Sequence, residues 1–254
     1  MTRDHHIGMI VPSSNLTMET ELPRMLRARE EAEPDDRFVF HTARARMRHV
    51  TPEQLRAMNA QSGRAAAELA DARPDVVATA CLVAIMAQGP GYHCTAEEDI
   101  TRVLREQGST APVVSSAGAL VSGLAALGAR KIAIITPYLK PLTKAVADYL
   151  EDAGFEVADA LSLEVPDNLA VARLDPADLR EHHRRLDLSD VDALVLSACV
   201  QMPSLPAIQP VEDELGLPVL SAATATAYRV LTELGLEPRV PGAGRLLAGR
   251  VPVS

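Results

Sequence analysis

Two stretches of this 254-residue chain nearly repeat one another. DVVATACLV occupies 75–83 and DALVLSACV occupies 192–200, each an apolar run that closes on Ala-Cys. IGMIVP (7–12) likewise matches KIAIITP (131–137), and APVVSSAG (111–118) matches LPVLSAAT (217–224). The three pairs keep their order while their offsets drift, as two copies with different loop lengths would. A duplication constrains the fold more than any single motif, because each half must be a supersecondary unit that packs on its twin.

Within each half the pattern alternates. Short β-rich runs at 7–11, 37–41, 75–80, 111–116, 131–136, 156–163, 193–198 and 217–222 are predicted strands. Between them lie amphipathic stretches at 19–31, 52–72, 95–107, 117–128, 139–153, 176–186, 205–215 and 223–235. Eight such alternations specify parallel sheets covered by helices. Thr51-Pro52 and Asp175-Pro176 mark helix starts, a capping side chain followed by a proline suited to the first turn. Aromatics are only 3% with no Trp, so Ala, Val, Leu and Ile must fill the core, which suits strands buried on both faces. The expected architecture is α/β, with two pseudo-symmetric Rossmann-like domains and parallel sheets. Residues 1–116 plus about 223–254 form the half carrying Cys81, and 117–222 the half carrying Cys199.

This architecture places chemistry, because ligands of parallel α/β sheets bind beyond the carboxyl ends of the strands. Cys81 and Cys199 fall at such ends in equivalent halves, so halves that face each other bring both thiols to one cleft. Pro12-Ser13-Ser14-Asn15 and Pro137-Tyr138 fall at the same mouth. A single Cys ending a buried strand is ordinarily a small core hydrophobe. Its symmetric twin is what points to function. Cys94, in the Gly89–Cys94 loop, has no twin and reads as a bystander. Taken singly, Asn15 and Asn168 read as turn or capping residues, and Tyr138 as cover for a sheet edge. The strand-to-helix position of Cys81 is expected to favour its thiolate, since open N–H groups at a helix start stabilise negative charge.

A net charge of −9 argues against nucleic acid as a partner. No apolar run is long enough to span a membrane, the first residues lack a secretory apolar core, and three cysteines make no disulfide framework. A cytoplasmic location is expected. His5-His6 and His182-His183 lack metal-ligand spacing, and no Gly-x-Gly-x-x-Gly or P-loop follows a strand, so neither a metal nor a nucleotide is expected. The Arg-rich run from Thr42 to His49 reads as a solvated strand end and loop.

The residues also resemble a known family. Ile7-Gly8-Met9-Ile10-Val11-Pro12-Ser13-Ser14-Asn15 is similar to the start of maleate isomerases and of their relatives the arylmalonate decarboxylases, within the Asp/Glu racemase superfamily. ACLVAIMAQGPGYH (80–93) resembles the first-cysteine segment of maleate isomerases, and SACVQMPSLPAI (197–208) their second. The likeness runs over essentially the whole chain. It implies two pseudo-symmetric domains with the active site between them, no cofactor, and a small dicarboxylate substrate, maleate. It implies Cys81 as nucleophile and Cys199 as partner acid/base. Asn15, Tyr138 and Asn168 would hold the carboxylates, and the backbone around Leu82, Val83 and Val200 would complete the anion site. A homodimer is expected. Amino-acid racemases usually show Cys-Asn-Thr and Cys-Thr-His where this chain has Cys81-Leu82-Val83 and Cys199-Val200-Gln201, and arylmalonate decarboxylases lack the first cysteine. A relative from ectoine breakdown, another superfamily racemase or decarboxylase, and a non-catalytic dicarboxylate sensor stay open as alternatives.

Overall fold

The computed structural model describes residues 2–249. The first run comprises β1 (Arg3–Pro12), α1 (Met18–Ala32), β2 (Asp36–Ala45), α2 (Pro52–Ala70), β3 (Val76–Thr79), α3 (Leu82–Met86), α4 (Tyr92–Glu106), β4 (Val113–Ser115) and α5 (Ser116–Ala126). The second comprises β5 (Lys131–Thr136), α6 (Lys140–Asp152), β6 (Glu156–Ser162), α7 (Asn168–Val171), α8 (Pro176–His182), β7 (Ala193–Ser197), α9 (Leu205–Leu215), β8 (Val219–Ser221) and α10 (Ala222–Glu233). The strands form two parallel four-stranded sheets, ordered β2-β1-β3-β4 and β6-β5-β7-β8. Strand for strand the orders agree, so the repeat in the sequence is a repeat of topology.

Burial follows position in the sheet. β3 and β7 are buried at every residue, as central parallel strands covered on both faces must be. The outermost strand β6 alternates between exposed and half-buried residues, the signature of a strand with one wet face. Thr51 and Asp175 cap α2 and α8 as the sequence indicates, accepting the N–H groups of Gln54 and Ala177. Helices α3 and α7 were not expected, because each is too short to show a helical period. Asn168, expected in a loop, is the first residue of α7, and the Asp167 carboxylate caps that turn by accepting the Ala170 N–H.

The two runs share one continuous apolar core. Helix α10 packs on α1, β3 and β4 as well as on α5 and β8. A Cβ added at Gly123 in α5 would lie 3.1 Å from the Leu246 side chain and 3.4 Å from Ala225 in α10, so glycine there permits the close approach of α5 and α10. Beyond α10 the chain returns to the first run. Arg29 in α1 donates to the carbonyls of Glu237 and Arg239 at 2.6 and 3.1 Å. Residues 1 and 250–254, the outer ends of the expected first half, lie outside the described residues.

Candidate active site

β3 and β7 each stop two residues short of a cysteine, which the chain then turns into one shared cavity. Cys81 has φ 110° and ψ 73°, a left-handed conformation that residues other than glycine rarely adopt. Holding it costs on the order of 1–3 kcal/mol, a strain the surrounding packing must offset. The turn carries Cys81 from the end of β3 straight into α3. Cys199 follows β7 in the other half. The cavity is lined by Cys81, Leu82, Val83, Asn15, Pro12, Met47 and Val50 from the first run and by Tyr138, Asn168, Cys199, Val200 and Gln201 from the second. Every site residue expected from the sequence is therefore brought to one place. Cys94 is exposed and is not among the lining residues.

The amides serve two purposes at once. Asn15 Oδ1 accepts the N–H groups of Thr17 and Met18 at 3.0 and 2.8 Å, which starts α1, while its Nδ2 donates to the Val200 carbonyl at 3.4 Å. Asn168 Nδ2 donates to the Ser14 hydroxyl at 2.8 Å. A primary amide has two N–H donors, and each asparagine engages one of them here. Asn15 thus caps α1, as its loop position suggests, and also lines the cavity. Leu82 and Val83 open α3, where N–H groups have no intrahelical partner.

Burial dominates the titration of the site. It pushes the Cys81 thiol up to about 12, with the Ala84 N–H acting in the opposite direction and the nearby Cys199 adding to the rise. Burial also raises Cys199, offset in part by the Tyr138 hydroxyl and by the N–H groups of Gln201 and Met202. Tyr138 is itself pushed well above its ordinary value, by burial first and by the two sulfurs next, so its hydroxyl stays protonated and faces Cys199 as a donor. The expectation that a helix start would favour the Cys81 thiolate is thus overturned for this enclosed form. α3 has only five residues, and desolvation outweighs its open N–H groups.

Two buried polar residues escaped the sequence reading. Gln201 Oε1 accepts the Leu16 N–H at 3.0 Å, and its Nε2 donates to the carbonyls of Ser14 and Asn168 at 3.0 and 2.8 Å. The Thr17 hydroxyl donates to the Gln201 carbonyl at 2.7 Å. One side chain therefore ties both asparagine loops to the Cys199 turn. Glu21, in α1, accepts the N–H groups of Ser204 and Leu205 at 2.6 and 2.7 Å, capping α9 from the other half. The only signal in the sequence was a polar residue two places beyond Cys199 and an acid at i, i+1, i+4 and i+5 spacing with the apolar residues Leu22, Met25 and Leu26 of α1.

The cavity itself measures about 20 Å³, room for about one water. It shares Val50, Tyr138 and Asn168 with a neighbouring vestibule of about 320 Å³. Among the described residues no carboxylate, imidazole, Lys or Arg lines the cavity, and Arg56 is the one charged residue lining the vestibule. Among the described residues no group of three or more His, Cys, Asp or Glu side chains is placed to hold a metal ion, and no helix is long and apolar enough to cross a membrane.

Known proteins share this sequence family and fold. Residues 7–247 match the family described as arylmalonate decarboxylase. The chain is 58% identical over 250 residues to a maleate isomerase from Geobacillus stearothermophilus, covering 98% of this chain and 100% of that one. The crystal structure of a maleate isomerase from Pseudomonas putida with maleate, in a variant with one cysteine changed to alanine, superposes with a TM-score of 0.96. It shares 51% identity and covers 97% of this chain and 98% of that one. A maleate cis-trans isomerase from Nocardia farcinica, with one cysteine changed to serine and a covalently bound succinylcysteine intermediate, gives a TM-score of 0.93 at 51% identity. That match covers 96% of this chain and 98% of the other.

Proposed function

The chain belongs to the maleate isomerases of the arylmalonate decarboxylase family, and on that premise we propose that it converts maleate to fumarate by cofactor-independent covalent catalysis. The observation that carries this reading is the meeting of two buried thiols, one from each half, in a single cavity rimmed with amide donors. The covalent succinylcysteine of the Nocardia relative supports a cysteine-based route. Arylmalonate decarboxylase from Bordetella bronchiseptica matches only 53% of this chain, at 32% identity, so decarboxylation is the less favoured reading.

In the proposed mechanism Cys81 is the nucleophile. Among the described residues no carboxylate or imidazole lines the cavity, so its proton leaves to water while the site is open to the vestibule. The thiolate adds to one alkene carbon of maleate, forming an S–C bond. The π-electron pair moves to the other carbon and into its carboxylate as an enediolate. The former double bond is now single and rotates. The electron pair returns, the S–C bond breaks, and fumarate leaves with the thiolate regenerated. Asn15, Asn168 and Tyr138, with the backbone at Leu82, Val83 and Val200, hold the carboxylates. Donors aimed at developing charge in a dry site are worth a few kcal/mol each, on the order of 3 kcal/mol. Cys199, hydrogen-bonded to the Tyr138 hydroxyl, is the partner thiol, which either protonates the second alkene carbon reversibly or stays a thiol and shields the intermediate.

We also propose the division into 1–116 plus about 223–254 and 117–222, supported by the packing of α10 on β3 and β4. A cytoplasmic homodimer completes the reading. Proton NMR of the purified protein with maleate, without added metal or nucleotide, tests it. The fumarate alkene signal is expected to grow with wild type and not with Cys81→Ser. A maleate signal that stays constant with wild type would overturn the function.

A further inference from the structure

A dianion must reach a cavity that no Lys, Arg or His among the described residues lines, in a protein of net charge −9. Like charge slows such an encounter unless the mouth carries the opposite sign locally. The segment 41–64 does. It holds five arginines, Arg44, Arg46, Arg48, Arg56 and Arg64, and one acid, Glu53. The segment runs past the site, because Met47 and Val50 line the cavity, and Val50, Pro52, Leu55 and Arg56 line the vestibule beside it.

The arginines differ in what they hold. Arg44 pairs with Glu19 and donates to the Ser13 carbonyl, and Arg64 pairs with Glu68. These two have structural partners. Arg46 and Arg48 are exposed, and their guanidinium groups make no hydrogen bond or ion pair among the described residues. Their backbone is nonetheless fixed, since Gln61 Oε1 accepts the Arg46 N–H and Gln54 Oε1 accepts those of Arg48 and His49. Arg56 meets Glu53 at 3.7 Å on an exposed surface, where such pairs bind weakly. Across the vestibule, Lys140 pairs with Glu164, and Asp167 caps α7. The surplus of positive charge is therefore on the 46–56 side, on a held loop, with two unpaired guanidinium groups.

We infer that Arg46, Arg48 and Arg56 form an electrostatic collar that draws the dicarboxylate dianion into the vestibule. They act before the chemistry and do not touch the reacting atoms. This assignment rests on the proposed maleate reading for its substrate. The Arg-rich run, a solvated loop by sequence, thereby gains a role that its solvation makes possible.

The test is steady-state kinetics of the triple variant Arg46→Gln, Arg48→Gln, Arg56→Gln against ionic strength, beside an Arg27→Gln, Arg105→Gln control that removes remote charge. At low salt the collar variant is expected to lose about tenfold in kcat/KM with kcat little changed, since steering of this kind is worth tenfold or more. The loss should shrink towards zero as salt screens the mouth, and the control should keep the wild-type salt slope. An unchanged kcat/KM at low salt, or an equal loss in the control, would overturn the collar. Calorimetric binding of succinate, an unreactive dianion, and of its monoamide separates this from failure of the isomerase reading. Wild type that binds succinate with a salt dependence absent from the variant, yet turns over no maleate, keeps the collar and sinks the activity. Equal succinate binding and equal salt slopes in both proteins sink the collar whatever the activity.

Discussion

Glu21 in α1 accepts the backbone N–H of Ser204 at 2.6 Å, so a carboxylate from the first run of elements caps α9, the helix that follows the Cys199 turn in the second. Burial raises the Glu21 pKa, against the N–H groups of Leu205 and Ser204 that favour its charge. A raised folded-state value means that the proton is held more tightly in the folded protein. The contribution of this group to stability is then fully present below its ordinary range and lost as pH rises through the raised value. Glu21→Gln should therefore gain stability relative to wild type between about pH 4 and 7, whereas Glu21→Ala should lose about 1–3 kcal/mol by orphaning two helix N–H groups. Urea denaturation at both pH values checks the pair.

Gln201 is expected to act as a positioning residue. Its amide holds Ser14, Leu16 and Asn168, so its loss frees both asparagine loops without removing a group that contacts substrate carboxylates. Misplacement of about 1 Å can cost on the order of 10²-fold in rate. Gln201→Ala should lower kcat by about that factor, and Gln201→Glu, which keeps the acceptor but loses the donor, should not rescue it. A purely structural role would instead lower stability and leave kcat per folded molecule intact.

The Cys81 thiol, pushed up to about 12 by burial in the enclosed form, gives a pH prediction. Thiolate grows tenfold per pH unit below its pKa, so kcat/KM should climb from pH 7 and show no plateau below about pH 9, where an unperturbed thiol is already largely ionised. A plateau near neutral pH would mean that the open site lowers the Cys81 pKa far more than its surroundings suggest.

The fold was legible because duplicated strands announce themselves. DVVATACLV and DALVLSACV each carry Ala-Cys at matching strand ends, and the rule that ligands bind beyond those ends places both thiols at one cleft. The same rule put Asn15 and Tyr138 at the mouth, while their carboxylate-holding role, and Asn168 altogether, came from family resemblance. Gln201 and Glu21 were illegible for a physical reason: their importance lies in hydrogen bonds to residues more than 180 positions away, or to Asn168, and spacing along a chain does not encode those. The state of Cys81 was misread because helix-start N–H groups are visible in sequence while the extent of burial is not.

The most direct measurement is intact and peptide mass spectrometry of the Cys199→Ser variant incubated with maleate and quenched in acid. An increase equal to one maleic acid, mapped to the peptide containing Cys81, is the expected result. An adduct on Cys94 alone, or full isomerase activity in Cys81→Ser, would contradict Cys81 as the nucleophile.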